Sequence, residues 1–237
     1  MKLKHLTVLV VAALGALALI ATTASATPAL VNVRVEGATR TIFEGPVLVQ
    51  GRTITTETGG THKCDGTNGS ANPTPVPVPT AALADAAELG HFTFDAEYFP
   101  SFEDYFVTRI AETAETETEF WGTLVNYEFL SVGGCQFPLH GGDEVLFAFN
   151  AFNAEHFLKL TGPSISLAGH PFTVKVTDGS THEPIAGALV GPVGNSPGVE
   201  TNSKGEATIT FSHPLLTRLK ASKPGSIRSN GLIELDL

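Results

Sequence analysis

The chain has 237 residues, 42% of them hydrophobic, and its 24 Asp+Glu outnumber its 14 Lys+Arg for a net charge of −10. An acidic chain without a Lys/Arg cluster repels phosphate backbones and anionic lipids, which excludes nucleic acid and charged membrane surfaces as partners. With 24 Gly and 15 Pro and abundant Thr and Val, the composition favours short strands joined by turns over long helices.

The first segment reads MKLKHLTVLVVAALGALALIATTASA. Lys2 and Lys4 make a positive start, Leu6 to Ile20 an apolar stretch, and Ala24-Ser25-Ala26 a small-residue cleavage pattern, the three parts of a secretory signal spanning residues 1–26. The apolar stretch is shorter than the roughly 20 residues of a membrane span, and no later segment is apolar enough to cross a bilayer. The mature protein is expected to be extracellular, with no membrane insertion.

In the first expected domain, residues 27–162, Val31, Val33 and Val35 alternate with polar residues, the period of a half-buried strand. After a turn at Gly37, TIFEGPVLV returns as its partner. A polar stretch follows, ending in THKCDGTNGSANPTPVPVPT. Its Cys64 has Cys135 as the only other cysteine of the chain. In an exported chain the two pair, free thiols being the bland alternative. A bridge closing about 70 residues would make the proline-rich stretch a loop inside one fold and not a linker. PTPVPVP reads as an exposed polyproline II strap.

TAALADAAELG predicts a helix capped by Thr80 and stopped by Gly90. HFTF and YFVTRI are expected strands, with AEYFPSFED between them as a loop. EFWGTLVNYEFL predicts a hairpin turning at Asn126-Tyr127, GGDEVLFAF a strand over Glu144–Phe149, and HFLKL a strand closing the unit. One helix among several strands points to an α+β domain within a mainly β chain.

WGTLVNYEF, followed by GGCQFPLHGGDEVLFAF, is similar to the pattern of the transcobalamin C-terminal-like β-grasp family, and TRTIFEGPV and THKCDGTN look like members seen in actinobacterial exported proteins. The resemblance covers most of residues 30–161 and implies a small β-grasp domain that binds a soluble ligand. The transcobalamin relatives enclose a corrinoid together with a large helical domain, which has no counterpart here, so corrinoid binding is not carried over and no cofactor is expected. Where the family often has Asn-Gly, this chain has Asn126-Tyr127. Tyrosine tolerates the positive φ of a type I′ turn poorly, so a longer or different turn is expected.

Residues 163–237 form the second expected domain. Phe172, Val174 and Val176 alternate, Asp178-Gly179 turns, and ETNSKGEATITF, LLTRLKAS and LIELDL supply further strands of a β-sandwich. The order VTD, PIAGALV, TNSKGEATI resembles carboxypeptidase-regulatory-like and bacterial immunoglobulin-like modules, which implies a spacer or adhesive unit.

Chemistry-bearing motifs are few. GNSPG, Gly194 to Gly198, matches a nucleophile elbow, but Pro197 lacks the N–H that an oxyanion hole would use and no helix pattern follows. The histidines are scattered without metal-ligand spacing, so no metal is expected. Glu112, Glu115, Glu117 and Glu119 alternate with threonine as on an exposed strand or turn. Asn68-Gly69-Ser70 is an N-glycosylation acceptor, relevant only in a eukaryotic source. HFTFDAEYFPSFEDYF is dense in aromatics, chiefly core material; Tyr98 and Phe99, with Trp121 beyond them, are the candidate ligand contacts. These features together predict a secreted, non-enzymatic binding or surface-associated protein. Its expected partner is a small molecule or glycan, with cell-envelope polymers as a further candidate. A purely structural envelope component is the alternative, and an extracellular hydrolase a distant one.

Overall fold

Strand β1 (Ala29–Glu36) shows how the first half is built. Its Val31, Val33 and Val35 are buried on one face, and on the other Arg34 and Glu36 are buried too. The computed structural model describes residues 27–194 and 198–237. The expected export signal at residues 1–26 and the central Asn195-Ser196-Pro197 of the GNSPG motif lie outside the described residues.

β1 pairs antiparallel with β2 (Thr41–Val49). The chain then makes a hairpin where the sequence predicts a polar loop, β3 (Arg52–Thr56) with β4 (Gly60–Cys64). Helix α1 (Pro79–Gly90) follows. Thr80 does not cap it: the N-cap is Val78, Pro79 occupies the first turn, and His91 in the left-handed region closes the C-terminus where Gly90 was expected to. Proline suits that first position because its missing N–H would have no helical partner anyway.

Next come β5 (Phe94–Phe99), β6 (Asp104–Ile110) and β7 (Thr113–Ala114), a separate three-stranded sheet. HFTF is therefore not a strand, and much of the expected AEYFPSFED loop is strand β5. A register shift between Asp95 and Ala96 breaks the two-residue period that would have announced it. β8 (Trp121–Val125), β9 (Glu128–Phe129) and β10 (Glu144–Phe149) complete the first half.

The main sheet runs β2-β1-β10-β8-β9, with β1 and β10 parallel. Helix α1 lies on the face carrying Val31, Val33 and Val35, where Ala81, Ala82, Leu83 and Ala86 are fully buried. Small alanines combine good helix propensity with close approach to the sheet. A β-hairpin, a crossing helix and a parallel central pair make up this half, and the described residues form a mainly β fold with a single α-helix.

Asn126 and Tyr127 overturn the turn expectation. Val125 pairs with Glu128 across a two-residue turn in which both residues have positive φ, 52° and 68°. The cost of a left-handed tyrosine is offset by packing: its ring is buried, lies against Gly179, and has Arg34 and Lys159 over it at 5.6 and 5.4 Å.

The second half contains β11 (His156–Thr161), β12 (Ile165–Ser166), β13 (Phe172–Asp178), β14 (Leu189–Pro192), β15 (Val199–Glu200), β16 (Glu206–Ile209), β17 (Leu215–Ser222), β18 (Ser226–Ile227) and β19 (Leu232–Asp236). They form two sheets, β16-β13-β11-β18 and β12-β19-β17-β14-β15. Leu158, Leu160, Val174 and Val176 of the first share a core with Val190, Leu219 and Ala221 of the second, a β-sandwich. HFLKL, expected to close the first unit, is β11. Its strand partners are β13 and β18.

The halves meet over the outer face of β1. Glu36, 1% exposed, accepts hydrogen bonds from Lys220 Nζ at 2.5 Å, Arg228 Nε at 2.8 Å and Thr41 Oγ1 at 3.0 Å. Lys220 also donates to Glu44 at 3.0 Å. Two acids and two bases, separated by more than 170 residues in sequence, satisfy one another where water is nearly excluded.

Candidate functional site

Within the β5–β6 hairpin, Glu97 faces Phe106, Tyr98 faces Tyr105 and Phe99 faces Asp104. Side chains alternate across a strand, so Glu97, Phe99, Asp104 and Phe106 share one face and the two tyrosines the other. The tyrosine face packs on the β3–β4 hairpin. The Tyr98 ring stacks on His62 with centroids 3.5 Å apart, and Tyr105 meets Tyr98 edge-on at 5.1 Å. The Tyr105 hydroxyl lies 2.9 Å from the carbonyls of Ile54 and Gly60 and accepts the His62 N–H.

The opposite face borders an open groove of about 600 Å³. Phe99, Phe102, Phe106 and Val132 line it, each exposing between 39% and 67% of its surface. Four large apolar side chains turned to water in one concavity are unlike the scattered exposed leucines of an ordinary surface.

Its far wall is the loop around Cys135. Cys135 is bonded to Cys64, 71 positions away. The Cys135 N–H points between the two Asp104 oxygens, 3.1 Å from each, and the Tyr105 N–H donates to the same carboxylate at 2.7 Å. Gln136 Nε2 donates to the Phe102 carbonyl at 2.8 Å. Gly133 and Gly134 are required here because a methyl at the first would overlap the Asp104 carboxylate and at the second the Thr80 hydroxyl.

The proline-rich stretch braces this wall from behind. Val76 N–H donates to Asp65 O, Leu139 N–H to Pro77 O, and the Asn72 amide to the carbonyls of Gly66 and Gln136. Pro77 and Pro79 are buried, so the strap is partly interior, not fully exposed. Asn68 is 1% exposed and its side-chain nitrogen donates to Lys63 O and Glu103 O, which closes it to glycosylation in the folded protein.

Three carboxylates reach the groove, Glu97, Asp104 and Glu115, and among the described residues no lysine, arginine or histidine lines it. Burial pushes the Asp104 carboxyl up to about 6, against the opposing pull of its two backbone donors. Burial also raises Glu115, and the nearby Glu97 charge adds to the effect. One Glu115 oxygen, Oε2, is buried without a hydrogen-bond partner among the described residues.

Of the three residues expected to touch a ligand, Phe99 lines the groove. Tyr98 is on the reverse face of the same strand. Trp121 is in the core, 4% exposed, with its ring 5.6 Å from Phe149 and its indole N–H donating to Thr113 O at 3.3 Å. Sequence reasoning did not select Phe102, Phe106, Asp104 or Glu115. The alternation of DYF after the Pro-Ser turn is the available signal for Asp104 and Phe106. In the sequence Glu115 is indistinguishable from its neighbours in a run of acids and threonines. Among the described residues no three His, Cys, Asp or Glu side chains converge as metal ligands do, and no helix is long and apolar enough to cross a membrane. No protein-family model and no curated protein matches the chain.

Proposed function

We propose that the chain is an exported, non-catalytic binding protein in which the β5–β6–β7 face of the first half holds a small soluble ligand and the sandwich serves as spacer or attachment unit. The observation that carries this reading is the groove itself. At about 600 Å³ it is within the range of small-molecule sites, and its lining sets aromatic side chains beside a few polar groups. The Cys64–Cys135 bond and the signal-like segment before Thr27 support export. Kinship with transcobalamin C-terminal-like domains belongs to the same proposal, supported by the sheet order and the crossing helix.

A thermal-shift screen of the purified protein against sugars, organic acids, amines and neutral aromatics tests it. Ligands should raise the melting temperature of the native protein and leave a Phe102→Ala/Phe106→Ala variant unmoved. Hits that persist in that variant, or a screen without hits, would overturn the reading and favour a structural envelope component.

A further inference from the structure

We infer that the ligand is a small organic cation, an ammonium head carried on an aromatic or branched aliphatic body. This rests on the groove being a binding site and deepens that reading by naming the chemistry it selects.

Charge complementarity carries the argument. The charged groups bordering the groove are all acids: Glu97 from β5, Asp104 from β6, Glu115 just beyond β7. Across from them the Cys135 loop contributes Val132, Gly133 and Gln136, none charged, and Glu103 of the hairpin turn is occupied with the Gly69 N–H at 2.8 Å. An anion would be repelled by the acidic wall and would find no positive group on the facing one. A neutral sugar would leave the carboxylates uncompensated and meet phenylalanine where it needs hydrogen-bond partners.

Glu115 gives independent support: its Oε2 has no donor, the carboxylate has no ion-pair partner among the described residues, and its partly exposed side chain can meet an ammonium from the groove. The phenylalanine faces then serve twice, burying the apolar body and attracting the cation through their ring quadrupoles. A bare metal ion fits less well, because the three carboxylates do not converge on one point and the apolar walls would give it nothing.

Three probes that share a phenyl body and differ in head charge test the inference: 2-phenylethylammonium, 2-phenylethanol and phenylacetate, each titrated into the protein with chemical-shift mapping by NMR at pH 7.5. The ammonium should bind at least tenfold tighter than the alcohol, with shifts centred on Phe99, Phe102 and Glu115, and phenylacetate should not bind there. Glu115→Gln should remove most of the preference for the cation while leaving the alcohol unaffected. The preference should also shrink below about pH 6, where Asp104 takes up its proton. Equal binding of alcohol and ammonium, or tighter binding of phenylacetate, would overturn the inference while leaving a groove-binding function intact. If none of the three perturbs the groove, the cation inference fails, and the wider screen decides the function separately.

Discussion

The backbone N–H of Cys135 lies 3.1 Å from both oxygens of Asp104, so one end of the disulfide and the floor of the groove are the same piece of structure. The covalent bond anchors the loop to β4 and the carboxylate anchors it to β6.

Replacing both cysteines with serine should therefore do two things. Opening a loop of 71 positions should cost about 4 kcal/mol by chain-entropy reasoning, read as a lower urea midpoint that reductant does not shift further. Ligand affinity should fall as well, because Val132 and Gln136 lose their fixed distance from Phe102. Unchanged stability in the double variant would show that the loop is held by its hydrogen bonds alone.

Asp104 should leave a signature in the pH dependence of stability. Its folded pKa of about 6 lies above the unfolded value of 3.8, so between those values the folded state binds the additional proton. Its contribution is fully present below about pH 4 and is lost as pH rises through 6, up to about 3 kcal/mol. Asp104→Asn cannot titrate. Denaturation from pH 4 to pH 7.5 should show the wild type losing stability relative to this variant as pH rises; parallel curves would refute the assignment.

Lys220→Met should destabilise by about 3 kcal/mol, since it leaves the buried Glu36 and the half-buried Glu44 carboxylates sharing less compensating charge. Adding Glu36→Gln should cost less than the two single losses summed, because the partners belong to one network. Additive losses in a double-mutant cycle would place the two residues in separate interactions.

Gly179→Ala should be unusually damaging for a glycine in a turn. The added methyl would strike the Tyr127 ring, and displacing that ring removes what holds a tyrosine at a φ of 68°. A loss of about 2 kcal/mol is expected by denaturation. In a Tyr127→Gly background the same change should be nearly neutral, and a full effect there would rule out the coupling.

How much of this was legible depends on whether the deciding contact is local. Val31, Val33 and Val35 announce β1 because one face is simply buried and the period survives. Cys64 and Cys135 could be paired by counting. The β3–β4 hairpin was hidden because its inward residues include Thr56 beside Ile54, which gives no hydrophobic period, and β5 because of its bulge. The groove was half visible: the aromatic density of HFTFDAEYFPSFEDYF marks the region, but strand pairing alone separates Phe99 from Tyr98. Trp121 drew attention as a large aromatic, and the sheet buries it. Asp104 and Glu115 acquire their character only from burial against segments distant in the chain, which composition cannot convey.

Strand β11 carries a practical consequence. It lies between β13 and β18, bonded to both. A recombinant fragment begun at Pro163 would leave this strand behind and bare the backbone edge of β13, a template for intermolecular sheet growth. Begun at Glu155, the fragment keeps its own edge cover, and it is the better starting point for separating the halves without precipitation.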